Sequence, residues 1–88
     1  MYEIAFTRNA ERYYNRLDDK TAARINRAID LISQNPTYNQ NRNIKKLSGR
    51  DREYSYRVGQ YRIIYQVDED LQVCNILSIG PRGDVYQR

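Results

Sequence analysis

Apolar residues along this chain change their period twice, and the changes mark its elements. Tyr2, Ile4 and Phe6 alternate with Glu3 and Ala5, the period-two pattern of a strand. Thr7 then offers an N-cap hydroxyl for a helix beginning near Arg8, with Ala10, Tyr13, Tyr14 and Leu17 as its apolar stripe. Asp18-Asp19 interrupts the stripe, and either carboxylate can cap a second helix whose buried face is Ala22, Ile25, Ala28, Ile29 and Ile32. Pro36 ends that helix, because the residue before a proline is pushed out of the helical region. Two helices joined by so short a break form an αα-hairpin. Residues 35–52 are polar and basic, show no period, and read as a loop with Ile44 and Leu47 as anchors to the core. Period two then returns. Tyr54, Tyr56 and Val58 alternate with Ser55 and Arg57; Gly59-Gln60 is a tight-turn signal; Tyr61, Ile63, Tyr65 and Val67 alternate with Arg62, Ile64 and Gln66. This is a β-hairpin whose second strand is apolar on both faces in its middle, as a central strand would be. Asp68-Glu69-Asp70 makes the next turn, Val73 to Ile79 forms a last strand closed by Gly80-Pro81, and Val85-Tyr86 is the apolar anchor of the remaining tail.

The order β-α-α-β-β-β predicts an α+β fold, with the helical hairpin packed on one face of a mainly antiparallel four-stranded sheet. With 88 residues the chain holds one domain, residues 1–88. Alternation also assigns faces. Tyr54, Tyr56 and Val58 should meet the helices, which puts Glu53, Ser55 and Arg57 on an open, partly solvated face where Arg62 of the neighbouring strand can join them.

Charge sharpens this picture. The net charge is +4, but residues 42–62 hold seven Lys/Arg against two Asp/Glu, a local excess of +5. A concentrated basic stretch suits phosphate or an acidic protein, although most charge runs are simply solvated loops. Nine Tyr with one Phe and no Trp add aromatics with a polar handle; most of them must fill the core, and Tyr54, Tyr56, Tyr61 and Tyr65 read as core or sheet packing. One cysteine excludes an internal disulfide, and the absence of His excludes the usual zinc sites and His-based triads. No apolar run is long enough to span a membrane, and the first residues carry neither a cationic start nor an apolar core, so no signal peptide is expected and the protein reads as cytoplasmic.

No standard catalytic motif is present. Ser48-Gly49 lacks the setting of a nucleophile elbow, and Gly59, Gly80 and Gly83 lack phosphate-loop spacing. Asp68, Glu69 and Asp70 are consecutive, so their side chains diverge and they read as a turn; Cys74, inside an apolar strand, reads as core. What remains is a set of cations and tyrosines on an open sheet. Arginine is planar, bidentate and always protonated, which suits the charge that grows on a phosphate under attack. RNA carries its own nucleophile, the 2′-hydroxyl, so it can be cleaved by in-line positioning and charge stabilisation without His, metal or cofactor. Such chemistry is possible for this chain but is not specified by composition alone.

The motifs are more specific. Lys46-Leu47-Ser48-Gly49, the block Arg57-Val58-Gly59-Gln60-Tyr61-Arg62-Ile63-Ile64-Tyr65, and the ending Ile79-Gly80-Pro81-Arg82-Gly83-Asp84-Val85-Tyr86 resemble the RelE/ParE superfamily of bacterial type II toxins across essentially the whole chain. The resemblance implies a ribosome-dependent endoribonuclease that cuts messenger RNA in the ribosomal A site by 2′-hydroxyl attack on the adjacent phosphate and so inhibits translation. It implies that Arg62 and Arg82 hold the scissile phosphate and that Tyr86 orients or activates the 2′-hydroxyl or stacks on a base. Arg57, Lys45, Lys46, Arg50 and Arg52 would bind RNA or phosphate. A cognate acidic antitoxin is the implied protein partner, in a hetero-oligomer that covers these cations. Where some members carry two cations at alternate positions of the hairpin's first strand, this sequence has Glu53 and Ser55, with Arg57 following on the same face. Two alternatives stay open: non-enzymatic inhibition of DNA gyrase, as in the ParE branch, and a weakened toxin that only binds its antitoxin or RNA.

Overall fold

A computed structural model of the chain describes residues 1–37, 43–49 and 51–81. The strand β1 (Glu3–Phe6) leads into helices α1 (Arg8–Asn15) and α2 (Asp19–Gln34), followed by strands β2 (Ile44–Lys46), β3 (Glu53–Val58), β4 (Tyr61–Asp68) and β5 (Val73–Pro81). The strands form a single sheet in the order β1-β5-β4-β3-β2. β1 runs parallel to β5 and the other pairings are antiparallel. The α+β architecture expected from the apolar pattern is present, with one correction. The sheet has five strands rather than four, because the stretch read as a loop over residues 35–52 contains β2. That strand has one apolar residue, Ile44, followed by two lysines, so it is too short to display a period of its own.

Each helix starts where the sequence supplies a cap. Thr7 Oγ1 accepts the Ala10 N–H at 3.2 Å, and Asp18 Oδ2 accepts the Thr21 N–H at 3.3 Å. These bonds to Thr21 hold the Asp18 carboxyl below its usual pKa. The helices cover one face of the sheet. Ala10 of α1, Ile25, Ala28, Ile29 and Ile32 of α2, and Ile44, Tyr56, Ile63, Tyr65, Val67, Cys74, Ile76 and Ile79 of the sheet form the main core. Burial within it pushes the Cys74 thiol up to about 11.

A register shift between Ile64 and Tyr65 decides how β5 joins this core. Ile64 pairs with Ser78 and Tyr65 with Ile76, so Leu77 is the extra residue of a β-bulge. Strict alternation would turn Ile76 and Ile79 to opposite faces, since they are three residues apart. The bulge brings both to the helix side, where both are buried. Thr7 secures it: its backbone N–H donates to the Ile76 carbonyl at 3.0 Å and its hydroxyl donates to the Leu77 carbonyl at 2.9 Å. One threonine therefore caps α1 and satisfies the carbonyl that the bulge displaces from the ladder.

Tyr65 ties the loop after α2 to the centre of the sheet. Its side chain is fully buried, its ring stacks on Tyr54 with centroids 5.8 Å apart, and its hydroxyl donates to the Pro36 carbonyl at 2.6 Å. Burial raises the pKa of that hydroxyl, so it is a donor across the accessible pH range. Tyr65→Phe leaves a buried carbonyl without this donor and is expected to cost about 1–3 kcal/mol in urea unfolding. A loss below about 0.5 kcal/mol would show that the Pro36 carbonyl finds another partner.

Candidate phosphate-binding face

The face turned away from the helices is built by residues in register across three strands. Lys45 of β2 is the partner of Ser55 on β3, and Ser55 of Ile64 on β4. One pair further towards the β3–β4 turn, Arg57 lies directly opposite Arg62, which is in turn opposite Gly80. Partnered residues share a face. Ile44, Tyr56 and Ile63 are in register on the helix side and belong to the main core, so Lys45, Ser55, Arg57, Arg62 and Ile64 lie on the other. The expectation that Arg57 and Arg62 meet on this face is borne out.

The Arg57–Arg62 juxtaposition is the unusual feature. Like charges directly opposite on neighbouring strands repel and destabilise the pair. Among the described residues no carboxylate forms an ion pair with either guanidinium; Arg62 Nη1 donates only to the carbonyl of Tyr61, at 3.4 Å. Arg57 is exposed, Arg62 half-buried, and Gly80 puts no side chain beside Arg62. Arg57, Gly59, Gln60, Arg62 and Pro81 line a shallow depression of about 320 Å³. Two always-charged, multi-donor groups converging on an open hollow can grip an anion bidentately from two sides. The edge strand holds the backbone of this site: the Arg57 N–H donates to the Asn43 carbonyl at 2.8 Å.

The face is less solvated than its polar pattern suggests. Ser55 is 2% exposed, and Leu47 and Ile64 are buried in a second small cluster with Leu77. The anchoring expected of Ile44 and Leu47 is thus divided: Ile44 enters the main core and Leu47 this second cluster. Glu53 also lies on this face, opposite Gln66, at the end of β3 remote from the arginines.

The other residues proposed from sequence separate into groups. Lys46 pairs with Tyr54, whose own partner is Tyr65 of the main core. It therefore points to the helix side, away from Lys45. Lys46 lines a different hollow with Leu47, Ser48, Gly49 and Asp51. Arg52 sits in the turn before β3 with left-handed backbone (φ 59°), 3.7 Å from Asp51, and its carbonyl accepts the Val67 N–H. Five residues of strand, roughly 17 Å, separate it from Arg57. Arg50, Arg82 and Tyr86 lie outside the described residues. Arg24 and Arg27 were not found from sequence. With Leu31, Asn43 and Arg57 they line a second hollow of about 350 Å³ between α2 and β3. The Arg24 guanidinium rests against Gly59, at φ 58° in the β3–β4 turn, where any side chain would collide with it. Nothing in the linear pattern distinguishes Arg24 and Arg27 from ordinary solvated helix residues. Among the described residues, no helix is long and apolar enough to cross a membrane, and no group of three His, Cys, Asp or Glu is placed to hold a metal.

Comparison with known proteins agrees with this fold. Residues 4–86 match the family model of the ParE toxin of type II toxin–antitoxin systems. The chain belongs to the RelE/ParE superfamily of type II toxins. It is 30% identical to Toxin RelG of Mycobacterium tuberculosis (strain ATCC 25618 / H37Rv) over 88 residues, covering 99% of this chain and 98% of that protein. Among solved structures, it resembles the archaeal RelE–RelB complex from Pyrococcus horikoshii OT3, with a TM-score of 0.80 and 26% identity over 94% of this chain and 97% of that one. The RelBE2 toxin–antitoxin complex of Mycobacterium tuberculosis gives a TM-score of 0.75 and 28% identity over 92% and 98%. The isolated RelE toxin of E. coli shares the fold, with a TM-score of 0.81 at 23% identity over 98% of this chain and 92% of that one.

Proposed function

We propose that this type II toxin is an endoribonuclease that cuts messenger RNA on the translating ribosome. The observation that carries the reading is the opposed Arg57–Arg62 pair on the face away from the helices. A cross-strand repulsion costs stability, and an anion held between the two guanidiniums offsets it. In the proposed reaction the 2′-oxygen attacks the adjacent phosphorus, and the charge that grows on the phosphoryl oxygens falls between Arg57 and Arg62. Both stay protonated throughout, so their role is to bind, orient and stabilise charge. By the family resemblance, Arg82 adds a further phosphate contact and Tyr86 orients the 2′-hydroxyl. Arg50, Lys46 and Arg52 supply non-specific attraction to the RNA backbone rather than contacts at the cut. An acidic antitoxin, as implied for a member of this family, would cover the cationic face and compete with RNA for it; the archaeal relative was solved as a RelE–RelB complex and the mycobacterial one as a toxin–antitoxin complex.

The matched family model is that of a ParE toxin, which keeps gyrase inhibition as the competing reading. Controlled induction in bacteria, with primer extension on an abundant message, separates the two. The nuclease produces cuts within translated codons and leaves chromosomal DNA intact. Double-strand DNA breaks with messages intact would overturn it in favour of the gyrase reading, and intact messages with normal growth would show a toxin that only binds.

A further inference from the structure

We propose that the hollow between α2 and β3 is a second phosphate site, which holds the sugar–phosphate backbone of RNA away from the cut; this rests on the ribonuclease reading above. Arg24 and Arg27 are three residues apart on α2 and share one face of the helix, with Leu31 one turn beyond. Both arginines are exposed. With Arg57 they place three guanidiniums round one hollow of about 350 Å³, and no carboxylate lines it. Asp30, three residues after Arg27, does not border it. Among the described residues no carboxylate forms an ion pair with Arg24 or Arg27. Like charges gathered in this way repel one another, and a bound anion offsets that cost.

The position of this hollow decides the kind of anion. It shares Arg57 and Gly59 with the depression that also holds Arg62, so the two meet at the β3–β4 turn. Gly59 puts no side chain at the meeting point, and the Arg24 guanidinium rests against it. Cations therefore run from Arg62 through Arg57 and round the turn to Arg24 and Arg27. A polymer with a charge on every unit fits such a track, whereas an isolated anion uses only one end of it. An RNA backbone is a polymer of that kind, and the guanidinium fork matches two oxygens of each phosphate. A protein partner fits less well. Protein interfaces are anchored by large aromatic or apolar side chains in buried pockets. Among the described residues, the exposed large apolar side chains are Met1, Phe6, Leu31 and Leu71, and of these only Leu31 borders the hollow. Arg24 and Arg27 thus bind the strand and fix its path, and because phosphates carry no base identity the site is blind to sequence.

The test is the salt dependence of binding to ribosomes programmed with a short message whose 2′-oxygens are methylated and which therefore cannot be cut. The double variant Arg24→Gln/Arg27→Gln should bind roughly 10–30-fold more weakly at 0.15 M salt, and its slope of log affinity against log salt should be shallower by about 1.4–1.8, the share of two phosphate contacts. On an ordinary message it should need correspondingly more toxin for half-maximal cleavage, whereas Arg62→Ala lowers the maximal rate. Arg12→Gln/Arg16→Gln on α1 removes the same charge from exposed positions that line neither hollow, and should change affinity and slope little. Thermal unfolding confirms that each variant is folded. Empty ribosomes and free methylated message separate the sources of the phosphate. A loss that persists on empty ribosomes assigns the site to ribosomal RNA, and a loss seen only where message is present assigns it to the message; both support the site. Equal weakening by the two double variants would overturn it in favour of a diffuse positive field. Unchanged affinity and slope would also overturn it, and weaker binding of polyglutamate by the same variant would then give the hollow to an acidic protein. In either case an unaltered toxin that cuts the ordinary message leaves the ribonuclease reading standing; an unaltered toxin that neither binds nor cuts would overturn that reading and this inference with it.

Discussion

Arg62→Ala is expected to abolish growth arrest on induction and to leave the fold intact. The two halves of this expectation have separate causes. Arg62 contributes little to folding: its guanidinium makes one long bond to the carbonyl of its own neighbour and stands opposite a like charge. Removing it relieves that repulsion, so the variant should unfold at the same temperature as the unaltered chain or slightly above it, a gain of at most about 1 kcal/mol. Its contribution to the reaction is larger. A fixed donor aimed at charge that develops in the transition state is typically worth about 10²–10³ in rate. The charge at this point is not enough by itself, because the fork of the guanidinium fits two phosphoryl oxygens at once, so Arg62→Lys should recover only part of the loss. Growth after induction and primer extension read the activity, and circular dichroism reads the fold. A folded Arg62→Ala that arrests growth as fast as the unaltered chain would show that phosphate is held elsewhere.

The largest structural effect is expected at the residue directly after it. Ile63 is fully buried, lies on β4 at the centre of the five-stranded sheet, and pairs with Tyr56 on one side and Ile79 on the other, all three facing α2 or α1. Ile63→Ala removes three carbons from a place where flanking strands are hydrogen-bonded and cannot close in. Such substitutions cost about 2–5 kcal/mol, with the upper part of that range belonging to sites that do not collapse. A domain of this size has a total stability on the order of 5–10 kcal/mol, so about 3 kcal/mol should lower the melting temperature by roughly 12–24 °C. Thermal and urea unfolding check this. A loss under about 1 kcal/mol would mean that the helices move in to fill the space. The contrast between neighbours is itself informative: one position on β4 lies on the open face and is expected to tolerate truncation, while the next lies in the core and is not.

Much of this was legible in the chain. The two helices, the cap at Thr7, a second cap at Asp18 or Asp19, the hairpin and its faces follow from local physics: apolar period, cap chemistry and turn residues act over a few neighbours. The pairing of Arg57 with Arg62 was also within reach, because a two-residue turn sets the register of a hairpin. β2 was not legible. With one apolar residue in three it has no period to detect, and its existence depends on hydrogen bonds to β3 rather than on its own preferences. The bulge at Leu77 was hidden for a related reason: simple alternation along β5 cannot show where the count slips. Composition also overstated the solvation of the open face, since Leu47 and Leu77 come to cover Ile64 from distant parts of the chain.

By itself, then, the amino-acid order determined most of the core, the Thr7 cap and the turns, and that Arg57 and Arg62 share a face, while Ala22, expected on the buried face of α2, is only half-buried. The tertiary structure decided which cations lie together. It separated Lys45 from Lys46 to opposite sides of the sheet, set Arg52 apart at the far end of β3, and brought Arg24 and Arg27 of α2 beside Arg57. The physical reason is that alternation specifies a side chain's face only once its strand has a partner, and β2 acquires its partner through long-range pairing that no local pattern records.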